Sequence, residues 1–366
     1  MLRLEQIRLT QFKNHPDTDY SFHARVVGIT GPNGVGKTNL LDAIHTLCFA
    51  RSYFTRNDQT MVRHGENGFR LDGRFLKENQ LEEVEMIWRE TGKKEVRVNK
   101  DPLPRRVDLL GRYPVVMIAP DDAELIQGDS KLRRQFLDAL ICQLDSNYLS
   151  SLSRFNKILA QRQVLLREWG AQGSSPARTD LLNVLDEQFA EEVQQLVPAR
   201  QKWITELQIG VLEQYERIAG ITDKISMRYA MNLEPDDSLE LIRSNRARDL
   251  AAERNTVGPH RDELVFSLNT YPFKLVASQG QRKTLLFALK LAACQMLEQK
   301  LILPPLLLLD DIFEKLDAGR TCSLLRWLAD QTESQVFISD TDPHRLASQL
   351  GSMCSDWQLI QIPDQS

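Results

Sequence analysis

A chain of 366 residues, 42% of them hydrophobic, has material for one large core or two modest ones, so a domain carrying a sizeable insertion is expected. Its formal charge of -4 excludes nucleic-acid binding through the field of the whole molecule and leaves that task to local basic patches.

The first 120 residues read as short strands, Leu2–Phe12, Arg25–Thr30, Phe69–Phe75, Glu82–Arg89, Glu95–Val98 and Pro114–Ile118, interrupted by one helix over Thr38–Phe49. From about Asp121 the period becomes helical, with Leu132, Phe136, Leu140, Leu144, Leu152, Phe155 and Leu159 on one stripe. A loop over Gly170–Pro176 and a second helical stretch from Arg178 to about Tyr215, kinked or broken at Pro198, complete a helical hairpin. At 1.5 Å per residue, an arm of about 40 residues reaches roughly 60 Å at most, a stub beside a long coiled coil. After Val257 strands and helices alternate again: a strand Glu263–Leu268, a helix Gln281–Lys300, a strand Leu306–Asp310, a helix Ala318–Asp330, a strand Gln335–Ser339 and a last strand near Trp357–Ile362.

The strand Val26–Thr30 runs into Gly31, Pro32, Asn33, Gly34, Val35, Gly36, Lys37 and Thr38, a G-x-x-x-x-G-K-[ST] loop with an amphipathic helix behind it, and these residues together with Asn39 are the expected nucleotide contacts. Glycines there let backbone N–H groups turn inward around the phosphates of ATP. Lys37 is expected to reach the β- and γ-phosphates, and Thr38 to offer its hydroxyl to Mg²⁺. That metal still wants a carboxylate at the end of a buried strand. Four leucines, Leu306–Leu309, suit a strand covered on both faces, and Asp310 then stands as the Mg²⁺ partner. Asp311 is the candidate to orient or deprotonate the attacking water. The two motifs lie about 270 residues apart, so a domain is inserted between the halves of the ATPase, as in ATP-binding-cassette heads. The expected fold is α/β, an ABC-type head with an inserted, mainly helical lobe forming a short arm. Its divisions are 1–120 and 257–366 for the ATPase lobe and signature helix, and 121–256 for the insertion.

A cassette head needs a third element, a serine-glycine turn opening a helix, to cap the γ-phosphate held by the opposite protomer. Ser278, Gln279, Gly280 and Gln281 stand about 30 residues before the Asp310 strand and open a helix, although as a helix N-cap alone they would carry no function. With these motifs in place the whole chain resembles the RecF family of bacterial recombinational repair proteins, relatives of SMC-type heads. The resemblance is carried by Leu-Thr-Gln-Phe-Lys-Asn-His15, the Gly31–Ile44 run, Ala119-Pro-Asp-Asp122 at the Q-loop position, Arg133-Arg134-Gln-Phe-Leu-Asp138, Gly258-Pro-His-Arg-Asp262, Ser278–Gln281 and Leu309-Asp-Asp311. It implies an ATP-dependent homodimer that recognises gapped or single-strand/double-strand junction DNA and, with RecO and RecR, helps load the recombinase RecA. Slow, DNA-stimulated hydrolysis would reset that dimer.

Two departures from cassette proteins at large point to a slow, regulatory ATPase. The second acid is Asp311 where transporters carry Glu, and no switch histidine follows Val336–Ser339, where Asp340, Thr341 and Asp342 stand. The missing histidine speaks against the energising subunit of a transporter, and retention of both acids against a scaffold that only holds ATP. A defence-type ATPase with an appended nuclease finds fewer than 60 residues after Asp310. Basic residues gather at Arg51/Arg56/Arg63, at Lys93/Lys94/Arg97/Lys100/Arg105/Arg106 and at Arg243/Arg246/Arg248/Arg254, where DNA phosphates or merely solvent would be met. Arg133 and Arg134 are expected to pair with Asp138 or a neighbouring loop. The longest apolar run, Leu301–Leu309, holds two prolines and is too short to span a membrane. The N-terminus is not a secretory signal, and Cys48, Cys142, Cys294, Cys322 and Cys354 form no C-x-x-C pair, so a cytoplasmic protein with reduced cysteines is expected.

Overall fold

Apolar alternation from Leu2 makes β1 (Leu2–Phe12), with Leu2, Leu4, Ile7 and Leu9 buried; a bulge at Glu5 changes the parity of the buried set between Leu4 and Ile7. The computed structural model of the chain describes residues 1–173, 175–220, 223–314 and 318–363. The chain turns at Lys13-Asn14 into β2 (His15–Ser21), passes through β3 (Val26–Thr30) and enters α1 (Lys37–Phe49). Four further strands follow, β4 (Gly68–Lys77), β5 (Gln80–Arg89), β6 (Lys94–Val98) and the two-residue β7 (Asp101–Pro102), then β8 (Val115–Ile118). Next come α2 (Ala123–Gln127), α3 (Ser130–Leu144), α4 (Ser146–Gln172) and α5 (Pro176–Ala219), followed by β9 (Ile225–Ala230), α6 (Ser238–Ser244), α7 (Arg246–Ala251), β10 (Glu263–Leu268), β11 (Tyr271–Pro272) and α8 (Phe273–Val276). The chain closes with α9 (Gln279–Leu301), β12 (Leu306–Leu309), α10 (Ala318–Asp330), β13 (Val336–Asp340), α11 (Pro343–Met353) and β14 (Trp357–Gln361).

Two compact units result. The first comprises Met1–Ala123, Glu213–Ile221 and Lys283–Ser366, the second Glu124–Leu212 and Thr222–Arg282. The sequence reading ends the insertion at residue 256, whereas residues 257–282 pack with the second unit. The reason is pairing: β10 runs antiparallel to β9, Glu263 opposite Ala230, and carries β11 on its other edge.

The first unit holds two sheets. One is antiparallel, in the order β2-β1-β4-β5-β6-β7; the other is parallel, in the order β14-β3-β13-β12-β8. Every residue of β3, β8, β12 and β13 is buried, as expected of parallel strands covered on both faces. Gly28 in β3 has no room for a side chain, because a Cβ there would lie 2.9 Å from Leu346 and Leu350 of α11 and from Leu359 of β14.

In the second unit the buried face of α3 is Leu137, Leu140 and Ile141, shifted from the expected stripe, and Leu132 is exposed. The loop expected over Gly170–Pro176 is shorter, since α4 runs to Gln172 and Pro176 opens α5; Ser174 lies outside the described residues. α5 is not broken at Pro198. Proline removes one backbone bond of the helix there, and two residues further on buried Arg200 ties the same stretch down by donating to Tyr148 Oη, Pro259 O, Asp138 and Asp262. Arg162 is held likewise, against Asp186, Asp249 and Asn255. Asp138 is therefore the partner of Arg200, and of the two partners expected for Arg133 and Arg134 it is the neighbouring loops that are met: Arg133 donates to Gly128 O and pairs with Glu263, and Arg134 donates to Asp262 O.

Candidate functional site

β3 delivers the chain into a loop whose glycines take conformations closed to other residues: Gly31, Gly34 and Gly36 have φ of +151°, +87° and +111°. Pro32, Asn33 and Gly34 are exposed at the rim, and Val35 is buried beneath them. Lys37 is buried, its Nζ donating to Gly31 O at 2.9 Å and Pro32 O at 3.1 Å, so the ammonium sits inside the loop it belongs to. Gly36 is the N-cap of the thirteen-residue α1, whose first N–H groups face the loop with no side chain capping them.

The turn between β1 and β2 forms a second wall that the sequence reading assigned no role. Asn14 Nδ2 donates to Gly34 O at 3.2 Å and Asn14 Oδ1 accepts from Asn39 Nδ2 at 2.7 Å. Buried His15 places Nε2 3.2 Å from Gly36 O, and since a carbonyl only accepts, Nε2 carries the proton. Burial holds the His15 pKa below its ordinary value. A Cβ on Gly36 would meet the Asn14 amide at 2.6 Å and His15 Nε2 at 2.7 Å, which is why the position takes only glycine. Lys13 anchors the turn through a 2.6 Å ion pair with buried Asp42 of α1.

The parallel sheet brings Asp310 to the same place. Thr38 Oγ1 lies 3.0 and 2.9 Å from the two Asp310 carboxylate oxygens, across 272 residues of sequence, and Ser339 Oγ of β13 donates to Asp310 Oδ1 at 2.7 Å. Burial pushes the Asp310 carboxyl above the usual carboxylate range; the hydroxyl bonds from Ser339 and Thr38 pull it down and neighbouring Asp311 adds to the rise. Asp311 follows with φ +45°, its N–H donating to Ser339 Oγ at 2.9 Å. Hydroxyl and carboxylate oxygens are the hard donors Mg²⁺ takes, so Thr38 and Asp310 suit that ion. Where cassette proteins at large carry a histidine, Asp340 is buried against Arg345, 2.5 Å away, and Asp342 caps α11. Close by in sequence to the loop helix, Tyr53 Oη donates to Asp122 at 2.5 Å, and Lys290 of α9 lies 3.0 Å from Asp122 and 2.7 Å from Tyr53 Oη.

Ser278, Gln279, Gly280 and Gln281 belong to the second unit. Ser278 Oγ accepts from Gln281 N at 3.2 Å while Gln281 Oε1 accepts from Ser278 N at 2.9 Å, a reciprocal capping box opening α9. Gln281 Nε2 also donates to Asp223, and Arg282 donates to Lys274 O.

Of the three basic clusters, the first two belong to the first unit, and within the second Asp58 pairs with Lys94 at 2.7 Å and with Arg106 at 3.9 Å. Arg56, Lys93, Lys100, Arg105 and Arg106 are exposed there. In the third cluster Arg243 and Arg246 pair with Glu187 and Asp186. None of the five cysteines is in a disulfide, and among the described residues no helix is long and apolar enough to cross a membrane.

Residues 3–350 match the family model described as RecF/RecN/SMC N terminal domain. The chain is 32% identical over 361 residues to the DNA replication and repair protein RecF of Flavobacterium johnsoniae, covering 99% of this chain and 100% of that protein. It is 35% identical to RecF of Bacteroides thetaiotaomicron, over 98% of this chain and 96% of the relative. Among solved structures it is similar to the recombination mediator protein RecF-ATPrS of the RecFOR pathway, with TM-score 0.87, 28% identity and coverage of 99% and 96% of the two chains. It shares its fold with the Smc head domain from Pyrococcus furiosus at TM-score 0.57, 14% identity, and coverage of 100% and 94%. The fold is that of an ABC-type ATPase head.

Proposed function

The chain belongs to the RecF family of DNA replication and repair proteins, ATP-binding heads that act in recombinational repair, and from that premise we propose that it is an ATP-driven DNA switch. In this reading two copies close on ATP, grip gapped or junction DNA and, with RecO and RecR, help load RecA; slow hydrolysis then releases them. The observation that carries the reading is the Thr38–Asp310–Ser339 cluster, which gathers a phosphate loop and a buried acid from opposite ends of the chain.

The chemistry follows from what each group can do. Gly31–Gly36 and the N-terminus of α1 wrap the phosphates with N–H groups, and Lys37 exchanges its bonds to Gly31 O and Pro32 O for phosphate oxygens. Thr38 and Asp310 would hold Mg²⁺, which when bound neutralises charge on the β- and γ-phosphates. Asp311 orients the attacking water and accepts its proton. Ser278 of the opposite copy meets the γ-phosphate through its hydroxyl, and Gln279, Gly280 and Gln281 shape that turn. DNA phosphates are met by Arg56, Arg63, Lys93, Arg105 and Arg106 of the first unit, and release of counterions makes binding steeply salt-dependent.

The test measures ATP turnover and sedimentation with no DNA, single strands, duplex and gapped duplex, across salt. Expected are an ATP-dependent dimer and the tightest binding and fastest turnover on gapped duplex. Equal DNA affinity with and without nucleotide at every salt concentration would overturn the reading.

A further inference from the structure

Ser339 was not singled out by its sequence neighbourhood, yet it is completely buried and touches both acids of the site. β13 lies parallel between β12 and β3, with Leu309 opposite Ile338 and Ile29 opposite Ser339. β12 ends at Leu309, so the chain leaves the sheet at Asp310 beside Ser339.

A serine hydroxyl has one proton and two lone pairs. The proton goes to Asp310 Oδ1 at 2.7 Å; a lone pair accepts the Asp311 N–H at 2.9 Å; and Asp311 Oδ1, at 3.5 Å, is too far to compete for the proton. One hydroxyl thus sets the rotation of the first carboxylate and the backbone turn that places the second. That turn has φ +45° at a residue other than glycine, a conformation that persists where surrounding bonds hold it. Thr38 is the other hydroxyl on Asp310, and its lone pairs are the ones a metal would use. Ser339 then keeps Asp310 in place without itself meeting the ion.

Resting on the hydrolytic reading above, we infer that Ser339 is a positioning residue for ATP hydrolysis, orienting Asp310 toward Mg²⁺ and fixing the turn that presents Asp311 to the water. Partners of this kind, one shell out from a metal, are worth roughly 10- to 100-fold in affinity or activity. Ser339→Ala deletes the hydroxyl and little volume; Ser339→Thr keeps it on a β-branched residue suited to a strand.

The experiment titrates Mg²⁺ against a fluorescent ATP analogue and follows single-turnover hydrolysis, for wild type and both variants, with nucleotide binding in EDTA as the control. Ser339→Ala is expected to raise the Mg²⁺ half-saturation concentration and lower the hydrolysis rate, each by roughly 10-fold or more, with binding in EDTA unchanged and Ser339→Thr restoring both. Unaltered Mg²⁺ dependence and rate in Ser339→Ala would overturn the inference. So would equal loss of nucleotide binding in EDTA, or failure of Ser339→Thr to restore function, since either makes the serine a packing residue. A wild-type protein that binds Mg²⁺-nucleotide without hydrolysing it would instead refute the hydrolytic reading, while the Mg²⁺ titration would still test the Asp310 contact.

Discussion

The mouth of the phosphate loop and the Ser278 turn both combine a glycine with a helix N-terminus, but they are built differently. At the loop, Asn14, His15, Gly36, Thr38, Asp310 and Ser339 converge from four separate stretches of chain, and most of their polar groups already bond to one another. At Ser278 the cap bonds are local, running three residues along the chain, with a tie from Gln281 to Asp223, and Ser278 and Gln279 are exposed. A site assembled by the sheet presents fixed geometry to its ligand. A capped turn presents only a surface, and its cap bond uses a lone pair of Ser278 Oγ rather than its proton.

Removing the charge inside the loop should break that contrast most severely. Lys37→Met keeps the stem and deletes the ammonium that would leave Gly31 O and Pro32 O for phosphate. Hydrogen bonds to a charged group contribute about 1.5–3 kcal/mol each, so ATP affinity should fall roughly 100-fold or more. Equilibrium binding of labelled ATP checks this, with thermal melting to show that the fold persists; wild-type affinity would remove the loop from the mechanism.

The Ser278 turn should answer the opposite way. Ser278→Arg places a bulky cation on an exposed helix start, in a unit other than the one that holds the loop. ATP affinity of the monomer should change by no more than about 2-fold, within the range of an ordinary surface substitution, while sedimentation should show ATP-induced dimerisation lost. A dimer that survives would reduce the turn to a helix cap.

The same contrast explains what was legible in the sequence. Gly31–Thr38 could be read because glycine positions and the lysine act within eight residues, and Asp310 because four leucines announce a buried strand. Ser278 could be read as a turn, for a cap is a local event. Ser339 could not, since a serine ending a strand carries no local sign of an acid 29 residues away. Nor could β2, where only His15 and Tyr20 are buried and the alternation is thin, and the Asn14–His15 turn showed as a motif without its place beside the loop. Of the kink or break expected at Pro198 the break is absent: propensity weighs the proline, while the bonds of Arg200 two residues on come from tertiary structure. The shifted stripe on α3 shows that period alone leaves the phase of the buried face open.

The smallest effect, and one that compares the units directly, is acid sensitivity. His45 in the first unit and His260 in the second are both held down to about 4, in each case chiefly by burial. His45 stacks on Phe49 and places Nδ1 3.2 Å from Arg51 O, so the neutral ring donates there; His260 places Nε2 3.2 Å from Asn255 O and packs against the Phe155–Phe189 pair. Unfolded, each takes up a proton near pH 6.5. The folded pKa is the lower one, so between 6.5 and 4 the unfolded chain binds more protons and stability falls as pH falls; above 6.5 neither group contributes a slope. By pH 5 each costs about 2 kcal/mol. Glutamine keeps an N–H donor without a titrating ring, so His45→Gln and His260→Gln should each lose about that much of the difference between the unfolding free energies measured in urea at pH 7 and pH 5. If one variant flattens the profile more than the other, its unit is the one whose unfolding acid drives first, and a profile unchanged in both would mean that neither histidine reports on folding.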